Sequence, residues 1–540
     1  MAIRGGGKGY SLRLLLSLVL ASVALGATGG APAPPDRREP AGTYRRPLGN
    51  DPATLDPARI VDVYGGSVAA QVFDGLVRFD QTLTIAPALA EFWKPSRDGL
   101  TWTFTLRKGV KFHHGREVTA DDVVFSLTRL LDPKVKSGAA DLFMVVKGAA
   151  DFREGRAKSV TGLTAVDRHT VQIVLQEPFT GFAGVLAVRH ASIVPRDLVE
   201  RDPDRFGASP SGTGPFRFER WERGKDIVLT AYRDYFDGPP GLARVVYRVF
   251  PGEPSDAMYD EFERGGLEDS PLPVRNYRAA VADTRHQHVK RAMFSVRFYG
   301  FNTRVKPLDD KRVRKAIIHA IDRETLIEEL SHGRFTLARG VVPPGTLGFN
   351  PKLTGYPYDP ARARALLREA GYPDGRGLPP LQVWSSVKND AVVREHEMMR
   401  KGLEAVGMKV EFRYLPDWPQ YSKKLAAGEC PIFLYAWYAD VPDPDDFLAK
   451  LFHSKSPRNY FGYANRALDE MVMDARKQLE APQRVALYRL AEQTVMDDAP
   501  VMPIFHYTYE RVFQRYVRSV EVSGLGDPYI PFRKIWLDRP

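Results

Sequence analysis

The amino-acid sequence predicts a mixed α/β fold built from several domain-sized units. With 540 residues, the chain is long enough for about three or four units of roughly 150 residues each. Hydrophobic residues make up 44% and charged residues 26%, a balance typical of soluble globular proteins. Strand-like segments alternate with amphipathic helical segments, which favours α/β units with largely buried sheets.

The N-terminal region has the pattern of a secretory signal. Basic residues precede an apolar stretch, Leu14–Leu25, which is shorter than the ~20 residues that span a bilayer. Small residues at its end predict cleavage after Gly26, so we expect residues 1–26 to form the signal peptide. Residues 27–42 are rich in Gly, Pro and Ala, and we expect them to form a flexible leader. Because Cys430 is the only cysteine, we expect an exported, soluble protein without a lipid anchor. An uncleaved anchor is the alternative.

Capping residues and glycines mark the helical segments between the strands. Thr119 precedes an amphipathic run and is a suitable N-cap, and Asp359-Pro360 begins another helix. Apolar residues at helical spacing predict helices over 309–321 and 395–406, and the second ends at Gly407. The predicted strands are Thr101–Leu106, Thr170–Leu175, Arg244–Val249, Lys409–Tyr414 and Ile432–Trp437.

The basic composition does not identify a partner. Lys and Arg number 77 and Asp and Glu 66, for a net charge of +11, yet the excess is spread along the chain without a long run of like charges. We interpret it as an arginine-rich, solvated surface and expect no nucleic-acid partner. The single thiol excludes an intrachain disulfide and a zinc–thiolate cluster.

The sequence lacks recognisable catalytic motifs. His396-Glu397 begins like a zinc-protease helix, but Arg400 stands where the second histidine is needed. Nucleophile-elbow, phosphate-loop and dinucleotide motifs are absent from the mature chain. His113 and His114 are adjacent, so we expect their side chains to point to opposite faces, as polar surface residues rather than a metal site. We therefore predict no enzymatic activity, no cofactor and no metal.

An acidic stretch after the last predicted strand has a structural interpretation. Asp443, Asp445 and Asp446 resemble part of a calcium-binding loop, but the interleaved Pro442 and Pro444 and the missing glycine argue against one. We expect these carboxylates to begin a helix, because the positive end of the helix dipole favours acidic residues.

Seven groups of short segments occur in a fixed order along the mature chain. The longest is GLTWTFTLRKGVKFHHG followed by VTADDVVFSLTRLLDP. Their order and spacing resemble those of the bacterial extracellular solute-binding proteins of family 5, the peptide-binding type of ABC importers, although His114 stands where the family usually has Asp. The groups are residues 55–57 with 72–77, 99–115 with 118–133, 211–216 with 234–238, 302–304 with 310–326, 342–345, 435–447 and 459–462.

The resemblance implies a two-lobed periplasmic-binding-protein clamshell of type II, in the large peptide-binder class. The first lobe is then discontinuous, with residues 43–298 and a return segment, 500–540, and the second lobe spans residues 299–499. Independently, the regular strand–helix alternation begins near Phe298–Asn302 and ends near Pro500. Two crossover strands would form the hinge, and the lobes would close around ligand.

The resemblance also implies partners and a location. The expected ligand is a small peptide or a similar solute, and the expected protein partners are the permease subunits of an ABC importer in the membrane. The protein is expected to be a periplasmic monomer.

Asp440 is the residue that we expect to contact ligand. It follows the buried strand Ile432–Trp437, and ligands bind beyond the carboxyl ends of strands in open α/β sheets. The resemblance implies that Asp440 binds the N-terminal ammonium of a peptide, within the segment that also contains Ala439. The alternative is that Asp440 only accepts backbone hydrogen bonds in the turn before the next helix.

Aromatic residues beside Asp440 offer flat surfaces for ligand. Trp437 and Tyr438 could cover a ligand backbone at little entropic cost, although inter-lobe packing would explain Trp437 equally well. Val63 and Tyr64 correspond to the early loop that lines the cleft from the other lobe in peptide binders.

Three functions from different classes follow from these observations. The first is a receptor that delivers peptides to a membrane permease. The second is the same fold with a non-peptide solute, such as a metal complex, haem, an oligosaccharide or an opine, or with a role as a sensor, because fold does not determine specificity. The third and least supported is an exported hydrolase.

Overall fold

The computed structural model describes residues 39–252 and 254–539. The predicted signal peptide, residues 1–26, and the predicted leader up to residue 38 lie outside these described residues. Among the helices of the described ranges, none is long and apolar enough to cross a membrane.

Strands occur along the whole described chain. They are β1 Thr43–Leu48, β2 Val77–Phe79, β3 Ile85–Pro87, β4 Ala90–Pro95, β5 Thr101–Leu106, β6 Leu163–Asp167, β7 Thr170–Val174, β8 Phe216–Glu222, β9 Asp226–Ala231, β10 Arg244–Val249, β11 Asp269–Pro271, β12 His286–Ala292, β13 Ser295–Phe301, β14 Thr336–Leu337, β15 Leu381–Ser385, β16 Val410–Tyr414, β17 Ile432–Tyr438, β18 Val501–His506, β19 Thr508–Gln514, β20 Val517–Arg518 and β21 Trp536–Leu537.

The α-helices are short in the first half of the chain and longer in the second. They are α1 Val63–Val72, α2 Ala120–Leu131, α3 Ala149–Arg153, α4 Phe182–Leu186, α5 Arg196–Arg201, α6 Pro203–Ala208, α7 Ser255–Glu263, α8 Tyr277–Ala282, α9 Lys311–His319, α10 Arg323–Ser331, α11 Pro360–Glu369, α12 Asp390–Glu404, α13 Trp418–Ala426, α14 Asp445–Phe452, α15 Arg466–Lys477 and α16 Ala481–Asp498.

The largest sheet has six strands in the order β14-β18-β13-β17-β15-β16. β13 lies antiparallel to β17 and β18, whereas β15 runs parallel to β16 and β17. α12 and α13 connect the parallel strands, as α/β units require. The residues of β17 from Ile432 to Tyr435 are buried, because alternate side chains pack into hydrophobic clusters on the two faces of the sheet. The chain leaves this central strand at its carboxyl end, where α/β proteins place ligand sites.

Smaller sheets form the rest of the structure. Two have four strands, in the orders β1-β10-β9-β8 and β4-β5-β7-β6, and one has three, in the order β11-β19-β12. In β5 the buried Trp102, Phe104 and Leu106 alternate with half-buried threonines, because one face of the sheet covers the core. α2 packs on that core through Leu127, and it begins where the Thr119 backbone N–H donates to the Asp122 carboxylate at 3.0 Å.

Most of the predicted elements occur at their predicted positions. β5 and β10 have the predicted bounds, and β17 is one residue longer than predicted. The helix predicted over 395–406 begins earlier, at Asp390. Asn389 is its N-cap, since its side chain accepts a hydrogen bond from the Val392 backbone N–H at 2.9 Å. The first turn of this helix contains polar residues, so the spacing of apolar residues did not indicate where the helix begins.

One histidine of the His113-His114 pair differs from its prediction as a surface residue. His114 is exposed, but His113 is half-buried, and its Nε2 lies 2.9 Å from the Gly214 carbonyl oxygen. Its ring also packs edge-on against Tyr232, with centroids 5.0 Å apart. Burial lowers the pKa of His113 to about 4. This histidine fixes the turn around residues 211–216 rather than facing solvent.

The lobe borders predicted near residues 298 and 500 coincide with two neighbouring strands. β13 contains Phe298, and β18 begins at Val501. The two strands are hydrogen-bonded to each other in the six-stranded sheet. The exact borders remain a prediction.

Candidate functional site

The segment that runs from the end of β17 into the first turn of α14 contains four aspartates, at positions 440, 443, 445 and 446. Its path is fixed by hydrogen bonds at both ends. The Ala439 backbone N–H donates to the Phe294 carbonyl at 2.8 Å. The Asp440 backbone N–H donates to Asp446 Oδ2 at 2.9 Å. We call residues 440–446 the aspartate loop.

Two carboxylates of the aspartate loop form bidentate ion pairs with arginines of the following helices. Asp443 accepts from Arg484 at 2.8 and 2.9 Å, and Asp445 accepts from Arg476 at 2.8 and 2.9 Å. The Tyr488 hydroxyl also donates to Asp445 at 3.1 Å. Two parallel bonds to one planar guanidinium hold each carboxylate in a fixed orientation.

The prediction that the acidic stretch begins a helix is confirmed. Asp445 and Asp446 lie in the first turn of α14. Their carboxylates and that of Asp443 are engaged by arginine and lysine side chains. These cations, rather than a calcium ion, explain why acidic residues cluster here.

Lys450, in α14, lies between the remaining two carboxylates. Its Nζ is 2.7 Å from Asp440 Oδ2 and 2.5 Å from Asp446 Oδ1. Trp437 Nε1 donates to Asp446 Oδ2 at 3.2 Å, and Lys450 Nζ lies 5.4 Å from the centre of the Trp437 ring. The Asp446 side chain is fully buried, whereas 44% of the Asp440 side chain is exposed.

Burial and neighbouring charges shift the pKa values of Asp440 and Asp446 in opposite directions. Burial alone would raise the pKa of Asp440, but the nearby Lys450, His190 and Arg189 lower it below its ordinary value. Burial raises the pKa of Asp446, and the neighbouring Asp440 carboxylate adds to this effect. Asp440 is therefore the more readily ionised carboxylate of the pair, and it is also the accessible one.

Cavities lie on both sides of the aspartate loop. One, of about 620 Å³, is lined by Trp437, Asp440 and Lys450 on one side and by residues of the segments 138–145 and 176–185 on the other. The second, of about 750 Å³, is lined by residues 441–443 and by parts of the segments 79–85, 180–184 and 345–351. Both volumes are in the usual range of small-molecule sites.

The predicted aromatic residues separate onto different surfaces. Trp437 lines the 620 Å³ cavity. Tyr438 is the next residue of β17, so its side chain points to the other face of the sheet. There it stacks on Tyr507, with ring centroids 5.2 Å apart, and it is 48% exposed. Only Trp437 shares a cavity with Asp440.

Val63 and Tyr64 do not lie in a loop, contrary to the prediction. They are the first two residues of α1, whose N-cap is Asp62, and neither lines the 620 or the 750 Å³ cavity. Their helix nevertheless borders the residues that face Asp440. A Cβ atom on Gly66 would lie 2.8 Å from Arg189 Nε, so glycine there allows Arg189 to pack against α1.

The charged residues around Asp440 were not predicted from the sequence. Lys450 could have been found, because Asp446 and Lys450 are four residues apart on one helix. Arg189 and His190 precede Asp440 by about 250 positions, and no local pattern connects them to it.

A second acidic group lies outside this region. Ligand atoms of Glu263, Asp283 and His286 are within 4.8 Å of one another. Arg285 Nη2 donates to Glu263 at 2.9 Å and to Asp283 at 2.6 Å. One guanidinium thus pairs with both carboxylates of this group.

Comparisons with known proteins agree with the fold. The family described as bacterial extracellular solute-binding proteins, family 5, middle part, matches residues 84–459. Di/tripeptide-binding protein 2 of Pseudomonas aeruginosa is 32% identical over 84% of this chain and 88% of its own length. Heme-binding protein A of Haemophilus influenzae is 32% identical over 86% of each chain.

A solved structure confirms the predicted α/β clamshell fold. The Escherichia coli murein tripeptide binding protein MppA is 26% identical, with a TM-score of 0.74 over 92% of this chain and 98% of its own. The relatives above are named as solute-binding proteins and not as enzymes. This chain belongs to the bacterial extracellular solute-binding proteins of family 5.

Proposed function

We propose that the protein is the extracytoplasmic substrate-binding protein of an ABC importer, and that it binds short peptides and delivers them to a membrane permease. The observation that carries the proposal is Asp440, an ionised carboxylate that opens onto a 620 Å³ cavity. An ammonium group that enters the cavity can form charge-assisted hydrogen bonds with this carboxylate. The peptide-binding relatives support the choice of ligand class.

The proposal includes closure of two lobes around the ligand. The lobes would comprise residues 43–298 with 500–540, and residues 299–499. β13 and β18, which are adjacent and hydrogen-bonded, would carry the two crossings between lobes. Both cavities beside the aspartate loop are lined by segments from the two proposed lobes, so closure would change their volumes.

The proposal also includes export to the periplasm as a soluble monomer without a lipid anchor. The basic and apolar pattern of residues 1–26 and the extracellular role of the family support export. The permease subunits of the importer are the proposed protein partners.

Haem is a second candidate ligand, because a haem-binding relative is as similar to this chain as a peptide-binding one. The 620 Å³ cavity is also lined by His453, Lys455 and Arg458. The cationic side chains of Lys455 and Arg458 could pair with the carboxylates of a porphyrin. A sensor role and an exported hydrolase have no observation in their favour.

Native mass spectrometry of the purified protein is the first test. A bound peptide supports the proposal, a bound haem supports the second candidate, and cleaved peptide products would indicate a hydrolase. Titration calorimetry with a dipeptide, a tripeptide and haemin then measures affinity directly. If none of the peptides binds while haemin does, the peptide proposal is wrong.

A further inference from the structure

Lys450 has two carboxylate partners of unequal exposure. Its Nζ contacts Asp440 Oδ2 at 2.7 Å and Asp446 Oδ1 at 2.5 Å. Both residues border the 620 Å³ cavity, but the Asp440 side chain is 44% exposed and the Asp446 side chain is completely buried. The bond to Asp446 is therefore inaccessible to a ligand, and the bond to Asp440 lies in its path.

The three charges leave room for one more cation. Burial raises the pKa of Asp446 to about 7, so above that pH both aspartates are ionised and two negative charges face the single positive charge of Lys450. A ligand ammonium on Asp440 would bring the group to neutrality, provided that Lys450 stays with Asp446. The movement required is small, because Lys450 already contacts Asp446 and has a flexible side chain with three rotatable donors.

We propose that Lys450 is a movable counterion, which neutralises Asp440 in the empty site and transfers to Asp446 when a primary ammonium of the ligand binds to Asp440. This inference rests on the proposed peptide-binding function. It makes Lys450 a competitor of the ligand and Asp446 the alternative partner that relieves the competition. The two residues thus set the affinity for ammonium ligands in opposite directions.

The other interpretation is a fixed ion pair within α14. Asp446 and Lys450 have the four-residue spacing of helix-stabilising pairs. In that case Lys450 would not yield to a ligand, and removing it would only disturb the loop and weaken binding. The two interpretations predict changes of opposite sign.

Three variants separate these interpretations by titration calorimetry with a free-amino tripeptide. Lys450→Met removes the competitor and should tighten binding, on the order of tenfold for one charge-assisted contact. Asp446→Asn removes the alternative partner and should weaken binding by a similar factor. The Asn side-chain oxygen can still accept from the Asp440 backbone N–H and from Trp437 Nε1. The double variant should bind like Lys450→Met, because no competitor remains.

Two controls accompany these variants. The N-acetylated tripeptide lacks the ammonium, so its affinity should change little in any of them. Lys225→Met removes an exposed ion pair with Glu222, 2.8 Å long, and should leave tripeptide affinity unchanged. Weaker binding or unchanged binding in Lys450→Met, or a double variant as weak as Asp446→Asn, would overturn the inference.

A ligand-free measurement keeps this test separate from the proposed function. Reductive ¹³C-methylation labels lysines and preserves their charge, and Lys450→Met identifies the Lys450 signal. That signal should shift in both Asp440→Asn and Asp446→Asn if Lys450 is shared. A shift in only one of them refutes the shared counterion whether or not peptides bind. If the Lys450 signal shifts in both variants but no peptide binds to the protein, the shared counterion is supported and the peptide-binding function is wrong.

Discussion

Replacing Asp440 by Asn removes the charge that faces the 620 Å³ cavity and nearly preserves the shape of the side chain. A hydrogen bond to a charged group contributes about 1.5–3 kcal/mol. The lower end applies here for two reasons. Asp440 is 44% exposed, and Lys450 already occupies its Oδ2 at 2.7 Å. We therefore expect a loss of about 1.5 kcal/mol in the free energy of binding a free-amino peptide, or roughly tenfold in Kd.

A double-mutant cycle tests whether this loss involves the ligand ammonium. Titration calorimetry compares the original protein and Asp440→Asn, each with a free-amino tripeptide and with its N-acetylated form. If Asp440 binds the ammonium, acetylation should cost the variant much less than the original protein, because both changes remove the same contact. Additive losses would refute this role. They would mean that Asp440 acts only within the aspartate loop and that the ammonium binds elsewhere.

Four further expectations follow from the structure and the sequence. Arg484→Met should lower the free energy of unfolding by about 3 kcal/mol, because it leaves the mostly buried Asp443 without its bidentate partner. Urea denaturation should show this loss. The control Arg466→Met should lose almost no stability, because its ion pair with Glu470 is exposed. Burial lowers the pKa of His506 and of His190 to about 4, so the unfolded chain, with ordinary histidine pKa values near 6.5, binds more protons between these limits. Stability should therefore fall as the pH decreases from about 6.5 to about 4, and urea midpoints independent of pH in this window would contradict the assignment. Small-angle scattering should show a smaller radius of gyration with saturating peptide, and an unchanged radius would count against lobe closure. Intact-mass analysis of protein from its native host should find residues 1–26 removed and no diacylglyceryl adduct.

The secondary structure could be predicted where side-chain periodicity and capping were both clear. Trp102 and Phe104 alternate with threonines, and β5 has the predicted bounds. The start of α1 was missed, although Asp62 accepts a hydrogen bond from the Gly65 backbone N–H at 2.7 Å as its N-cap. Gly65 and Gly66 have poor helix propensity, so this stretch reads as a loop. Packing against Arg189 stabilises the helix there, and that contact is invisible in the sequence.

The candidate site was only partly predictable. Asp440 could be selected because it follows an apolar strand and because its segment resembles the ammonium-binding segment of the peptide binders. The partners of the aspartate loop could not be assigned, because Asp443 pairs with Arg484 and Asp445 with Arg476, 41 and 31 positions away. The sequence contains 77 basic residues, and only the packing of α15 and α16 against α14 determines which of them meets each carboxylate.

Asp440 is the most exposed carboxylate of the aspartate loop, and the other three are mostly or completely buried. Arg476 and Arg484 hold Asp445 and Asp443 through bidentate bonds, while the ion-pair partner of the Asp440 carboxylate within residues 39–252 and 254–539 is Lys450. A substitution at position 440 therefore changes the charge offered to a ligand while the arginine pairs of Asp443 and Asp445 stay in place. Such a division would let an ancestral receptor acquire a new cargo in one or two mutational steps without passing through an unfolded intermediate.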